Sequence, residues 1–243
     1  MKSAKYYKKF KFNNIPQGLT QKNVNRDIIA SLINKNIKNC LDIPCGNGDF
    51  IKVLQRFLPS VNCLGVDINN PRNKDFNFKK ADITQSLNLA KKYDLITSIS
   101  GVTELYDSYR FICNLKKYLT DDGLLIITND NSHTIKSRLY FLFFAKISRF
   151  SLLLDANSPT FKQMSIAELL KILAENNLKL TAVRYTAFYY EDLIFLPLAI
   201  IIYPIQKLYL NFCCKNFTKD IKKKLFPFKS LFAKHYILYI KKK

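Results

Sequence analysis

A short apolar run, Cys40-Leu41-Asp42-Ile43, passes almost directly into Gly46-Asn47-Gly48 and then into a stretch with helical apolar spacing. No other feature of the chain leaves so few folds open. A buried strand, a glycine turn and a helix, in that order, free backbone N–H groups and a helix N-terminus to face a ligand. Phe50, Ile51, Val53, Leu54, Phe57 and Leu58 supply the helical stripe, and Pro59 stops it. Alone, a Gly-x-Gly is weak. Its neighbours decide what it means.

The alternation of strand and helix continues downstream, which predicts βαβ units around a parallel sheet. Val61 to Val66 reads as a second strand ending at Asp67, and Phe76 to Ala81 as a third ending at Asp82. Asp94 to Ile99 is a fourth. A helix follows over Tyr106 to Leu119, and Thr120-Asp121-Asp122-Gly123 turns the chain into a fifth strand, Leu124 to Thr128. Polar residues gather at the strand C-termini, where open α/β sheets bind their ligands. Ser132 to Leu154 is amphipathic and rich in Phe and Leu. Ser165 to Asn177 reads as a helix opened by a Ser165–Glu168 capping box. Leu178 to Tyr189 and His235 to Ile240 are strands that close the sheet. The pattern divides the chain into a basic N-terminal helical segment (1–38), a core (39–189 and 231–243) and an apolar, basic insertion (190–230).

Two carboxylates fall in register with the glycine turn. Asp67 ends the second strand nineteen residues after Gly48, where a nucleotide fold places the acid that accepts from ribose hydroxyls. Asp82 ends the third, within reach of an adenine amino group. Each acid by itself is as well explained as a helix cap or a solvated loop carboxylate; the three features together point to a nucleoside. A dinucleotide is disfavoured, because the third glycine of that fingerprint would stand near position 51, where Ile51 keeps a helix from close packing on a pyrophosphate. The 6 cysteines form no CxxC pair and the chain has 2 histidines, so reduced thiols and no metal site are expected.

These segments resemble the class I S-adenosylmethionine-dependent methyltransferases. Leu41-Asp42-Ile43-Pro44-Cys45-Gly46-Asn47-Gly48 looks like their first motif, in the variant where Pro replaces the first Gly. Gly65-Val66-Asp67-Ile68 is similar to the ribose-binding second, Ala81-Asp82-Ile83 to the adenine-contacting third, and Tyr93-Asp94-Leu95-Ile96-Thr97-Ser98 to the fourth. Leu119 to Leu124 resembles the segment before strand five, with Asp122 in place of a usual glycine. The resemblance implies a Rossmann-like, mostly parallel, seven-stranded α/β sheet with helices on both faces and an antiparallel last strand. It also implies S-adenosylmethionine as cofactor, held by Asp42, Pro44, Cys45, Gly46, Gly48, Asp67, Ile68, Asp82, Ile83 and Ser98.

Methyl transfer from a sulfonium is an in-line displacement helped mainly by positioning, and a hydroxyl acceptor also needs a general base. Glu104, Tyr106, Asp130 and His133 lie after strands four and five; His133 and Glu104 are the candidates, His133 because imidazole titrates near neutrality. Asn129 to Ser132 with Ser137 to Leu142 is similar to a group of bacterial methyltransferases of cell-surface glycan or lipid synthesis, in which this segment covers the acceptor.

Charge sits at the two ends. The chain carries +21 overall: +8 over 1–38, +10 over 207–243 and +3 between. The N-terminal stretch is basic but lacks an apolar core of signal-peptide length, so a cytoplasmic protein is expected. Leu193 to Ile205 is thirteen residues without a charge, broken by Pro197 and Pro204, and reads as too short and too broken to span a bilayer. With Lys215, Lys219, Lys222, Lys223 and Lys224 after it, it suits the plane of an anionic leaflet, making the enzyme peripheral on the inner face of the membrane. A lid or dimer interface is the plainer account. The favoured acceptor is small or lipid-linked. An RNA methyltransferase is the alternative, though no Asn-Pro-Pro-Tyr-like motif follows strand four, where Ser98-Ile99-Ser100-Gly101 stands; a non-catalytic S-adenosylmethionine-binding module is the third reading.

Overall fold

The computed structural model describes residues 19–73, 75–102, 105–147, 151–153 and 164–243. Seven strands form one sheet: β1 (Asn39–Asp42), β2 (Asn62–Asp67), β3 (Phe78–Lys80), β4 (Tyr93–Ile99), β5 (Leu119–Asp130), β6 (Leu178–Thr186) and β7 (His235–Lys242). Their order is β3-β2-β1-β4-β5-β7-β6. The first five pair in parallel, and β7 runs antiparallel to both β5 and β6. The central strands are apolar on both sides because both faces are covered. On one face, α1 (Leu19–Leu32) and α2 (Asp49–Phe57) bury Val24, Ile28, Phe50 and Ile51 against Ile126 and Ile237. On the other, α3 (Ser108–Tyr118) and α5 (Ile166–Glu175) bury Phe111, Leu115 and Leu169 against Ile96 and Leu238. Between α3 and α5 comes α4 (Ile135–Phe144); after β6 come α6 (Leu196–Cys213) and α7 (Lys219–Leu225).

The caps follow the sequence. Asp107, Thr134, Ser165 and Thr218 each accept a first-turn backbone N–H at the start of α3, α4, α5 and α7. Four boundaries differ from the pattern, each for a local reason. Thr120–Gly123 do not break the fifth strand: Tyr93 pairs with Leu119 and Leu95 with Leu124, so a bulge absorbs the extra residues. The third strand shortens because the Phe76 ring packs against Gly48 and Gly65 instead of joining the ladder. The sixth ends at Thr186 because Ala187 takes a left-handed φ of 62°. The stretch from Ser132 is helical only to Phe144, closed by Ala145 at φ 51°.

The insertion departs most. A 3-10 turn, Tyr190–Phe195, runs into α6, with Pro197 in its first turn, where a missing N–H costs nothing, and Pro204 carried inside the helix. Tyr190–Cys213 is therefore 24 residues long and apolar enough to cross a membrane by length and composition. The expectation that the prolines leave this segment too short to span is corrected. Yet one face of α6 packs on the domain: Ala199 is buried with Ile135 of α4 and with Leu231 and Phe232. Arg138 of α4 donates from Nη2 to Gln206 Oε1 at 3.2 Å.

Candidate active site

Strands β1, β2, β4, β5 and β6 end at one edge of the sheet, and β7 begins there. At that edge β1 delivers Asp42, which is 2% exposed and accepts a 2.6 Å hydrogen bond from Thr97 Oγ1 on β4. Burial pushes the Asp42 carboxyl up to about 7, opposed by the Thr97 bond and aided by the nearby carboxylates of Asp67 and Asp49. Pro44 follows after a cis Ile43–Pro44 bond. The chain then closes a turn, with Gly48 N–H donating to Cys45 O at 2.9 Å.

The two glycines of the turn have different reasons to be glycine. Both have positive φ, 53° at Gly46 and 74° at Gly48. A Cβ on Gly48 would stand 2.1 Å from the Phe76 ring, so Gly48 is where α2 and its loop close on the sheet. A Cβ on Gly46 would meet nothing within 4 Å. Gly46 faces a pocket, and its N–H donates to Asp67 Oδ2 at 2.9 Å. Asp67, 7% exposed, also accepts from Asn69 N–H through Oδ1, so β2 and the glycine turn are locked together by one carboxylate. Ile51 is fully buried, with Gly65 of β2 making room for it.

The pocket at this edge is lined by Asp42, Pro44, Cys45, Gly46 and Asp67 among the residues expected from sequence. Asn47, Asp49, Phe50, Ile99, Gly101 and, from α1, Gln21 complete the lining. Asn47 and Gly101 stand inside or beside quoted motifs and were legible. Gln21 was not, since nothing in an amphipathic helix marks which turn will overhang a loop that lies beyond the next strand. The other expected residues lie around the pocket. Gly48 is packed beneath it. Ile68 is exposed beside Asp67, Ile83 is in the core, and Ser98 is fully buried within β4. Asp82 accepts from Thr84 N–H and Oγ1 at 2.9 and 2.7 Å, bonds that hold its carboxyl below the usual range. Glu104 lies outside the described residues.

His133 follows β5 as expected, but its ring stacks on Phe226 at 5.5 Å and burial, with the Arg138 cation, pushes its pKa down to about 4. That environment keeps the imidazole neutral and engaged in packing. A second histidine, His235, reaches the same edge from the last strand. His235 opens β7 opposite Asp130 at the end of β5, and its Nε2 lies 3.0 Å from Asp130 Oδ1. Sequence spacing gives no sign of this pair, which exists because the last strand returns antiparallel.

The pocket suits a cationic nucleoside. Asp42 and Asp67 bring carboxylates to a cavity with no basic residue among its described lining, and Gly46 leaves open the space a side chain would fill. A sulfonium carrying an ammonium group is complementary to such a wall. When bound, S-adenosylmethionine would supply an electrophilic methyl group; Asp42, Gly46 and Asp67 are the lining residues that would hold and orient it.

The glycine loop, the acid ending β2 and the 3-2-1-4-5-7-6 order define an S-adenosylmethionine-binding α/β fold. Residues 18–183 match the family described as a methyltransferase domain. The chain belongs to that family and is an S-adenosylmethionine-dependent methyltransferase. Among solved structures it is similar to an S-adenosylmethionine-dependent methyltransferase from Clostridium acetobutylicum, with 15% identity, TM-score 0.56, and 99% of this chain and 98% of that one covered. It is also similar to magnesium protoporphyrin IX methyltransferase from Synechocystis with bound S-adenosylhomocysteine (14%, 0.54, 90% and 82%). An O-methyltransferase of a Brevibacillus brevis polyketide multienzyme, again with S-adenosylhomocysteine, follows (14%, 0.51, 85% and 67%). At these identities the likeness is one of fold. No curated protein sequence matches the chain.

Proposed function

We propose that this methyltransferase acts on a small amphiphilic or lipid-linked acceptor presented at the cytoplasmic face of a membrane, with α6 lying in the interface. One observation carries the reading: α6 is apolar on the side that faces away from the protein. Pro197, Ile200, Ile201, Pro204, Ile205, Leu208, Tyr209 and Phe212 recur at intervals of three and four, and all are exposed. In a water-facing helix this stripe would be polar. Beside it, Phe141, Leu142, Phe143 and Phe144 end α4 in the open. An apolar surface this broad on a soluble chain marks a docking site.

Two further facts fit a membrane and an in-plane orientation. The inner face of α6 is occupied by contacts to α4 and to Leu231 and Phe232, so a span would have to strip the helix from its domain. Lys219–Leu225 follows with Lys222, Lys223 and Lys224 in its last turn, cations suited to anionic headgroups. Burying the six largest outward side chains of α6 is worth on the order of 10 kcal/mol. Topology adds the functional link. α4 leaves the end of β5, and α6 stands between the end of β6 and the start of β7, so the apolar surface shares the sheet edge of the cofactor pocket. An acceptor held in a leaflet reaches that edge without passing through water.

Flotation of the full chain with vesicles containing anionic lipid tests the docking, with Ile200, Ile201 and Ile205 all changed to Ser as the comparison. Co-flotation of the wild type and loss of it in the folded variant is the expected outcome; equal flotation of both overturns it. Labelled donor incubated with fractionated membranes should give a lipid-extractable product. Label that ribonuclease releases would favour RNA instead.

A further inference from the structure

A second cavity lies on the α1 face of the sheet, along the edge strand β6. It is a groove of about 1250 Å³ running from Lys35 and Lys241 at one end to Thr186–Tyr190 and Lys229 at the cofactor edge. That volume exceeds what most compact small-molecule sites require. Its described lining carries five cationic side chains, Arg26, Lys35, Arg184, Lys229 and Lys241, against the carboxylate of Asp27. Asp27 is buried, and one of its oxygens serves two guanidiniums: Oδ1 is 3.0 Å from Arg184 Nη2 and 3.6 Å from Arg26 Nε. One carboxylate between two arginines leaves the middle of the groove cationic while fixing both forks in place.

We propose that this groove binds the phosphate-bearing part of the acceptor, a diphosphate or phosphodiester group on an extended molecule. Guanidinium forks match phosphate oxygens in pairs, and the outlying lysines add point charges along the length. Helix α1 borders both cavities: Gln21 lines the cofactor pocket and Asn23, two residues on, lines the groove. A nucleic-acid strand suits it less well. Bases need aromatic faces spaced along the cations, but Tyr185 and Tyr239 are buried and the Tyr189 ring lies 3.9 Å from Lys234 Nζ. The exposed rings, Phe188 and Tyr190, are together at one end. The inference needs only the methyltransferase assignment, and holds whether or not α6 enters a membrane.

Calorimetric titration of the full chain with inorganic pyrophosphate and with geranyl diphosphate, both soluble, tests it without a bilayer. Comparison is with Arg26→Gln and with the double variant Lys229→Gln/Lys241→Gln, whose lysines sit outside the Asp27 cluster. The expected result is pyrophosphate binding by the wild type, weakened tenfold or more in both variants, with S-adenosylmethionine affinity and Tm unchanged in the double variant. Equal binding of the two probes assigns a soluble phosphorylated acceptor, and tighter binding of geranyl diphosphate a lipid-linked one; either supports the groove. No pyrophosphate binding at millimolar concentration, or binding that the double variant retains in full, overturns it. So does a single-stranded RNA that competes at lower concentration than either diphosphate.

Discussion

Gly46 and Gly48 are two residues apart and share a backbone conformation, yet their substitutions should separate binding from folding. Gly48→Ala drives a Cβ into the Phe76 ring, itself wedged between Gly48 and Gly65, and should cost about 2–3 kcal/mol and several degrees of Tm. Gly46→Ala meets open space, costs about 1 kcal/mol for its left-handed backbone, and should lower S-adenosylmethionine affinity at least tenfold while lowering Tm by only about 2–4 °C, less than Gly48→Ala. Thermal melts and donor titration of the two variants check the pair. Asp42 offers a test in pH. Its folded pKa of about 7 lies above the unfolded 3.8, so the native state holds a proton that the unfolded chain gives up. The stability that Asp42 contributes is therefore full below about pH 4, falls as pH rises toward 7 and is gone beyond. The shift corresponds to at most about 4 kcal/mol. His133, pushed down to about 4, contributes with the opposite sign over nearly the same window, so the Asp42 contribution is read as a difference: in urea unfolding the wild type should lose stability relative to Asp42→Asn as pH rises from 4 to 7, and a constant difference overturns the assignment. For a cationic ligand the sign reverses: S-adenosylmethionine affinity should rise over the same window, with proton uptake by buffer measurable by calorimetry.

At the scale of elements, α6 is where reading along the chain and reading across the fold part company. Pro204 looks like a break, because a proline inside a helix removes one hydrogen bond and crowds the preceding turn. It is carried because Ala199, Leu198, Ile202 and Tyr203 on the inner face are held by Ile135, Leu139, Phe228 and Phe232, packing that outweighs the local cost. Since Pro204 itself points outward, Pro204→Ala should restore the bond without disturbing that packing, raising Tm by a few degrees and leaving turnover within twofold. The seven strands and the helices α2, α3 and α5 were legible to within about five residues, whereas α7 was read only as a run of lysines. Ser165 caps α5 by accepting from the Glu168 N–H, and the apolar stripe from Phe50 to Leu54 is the buried face of α2. Where boundaries moved, as in the bulge opposite Tyr93 or the early end of β6 at Ala187, tertiary pairing overrode a local turn or strand signal.

For the whole molecule, the charge of +21 becomes meaningful through its placement. The C-terminal lysines follow directly on the outward apolar helix, so vesicle binding should combine a salt-sensitive and a salt-insensitive part. Raising salt from 50 mM to 500 mM shortens the Debye length from about 14 Å to about 4 Å. Flotation on anionic vesicles should weaken by tenfold or more without vanishing, while flotation on neutral vesicles should be weak and nearly constant. A sedimentation series across salt and lipid charge measures both.

The order of strands and helices, the glycine turn and the acid nineteen residues beyond it were written in local pattern, because periodicity and turn chemistry act over a few residues. Those features determined the fold class and the methyl donor. What meets what across the fold was decided only by tertiary structure. His235 faces Asp130 because β7 returns antiparallel, and His133 is drawn into a stack on Phe226. Arg184 reaches Asp27 across 157 residues of chain, and α6 turns its apolar stripe outward because its other face is already taken. Contacts between residues so far apart depend on how layers pack, and packing leaves no period in the sequence.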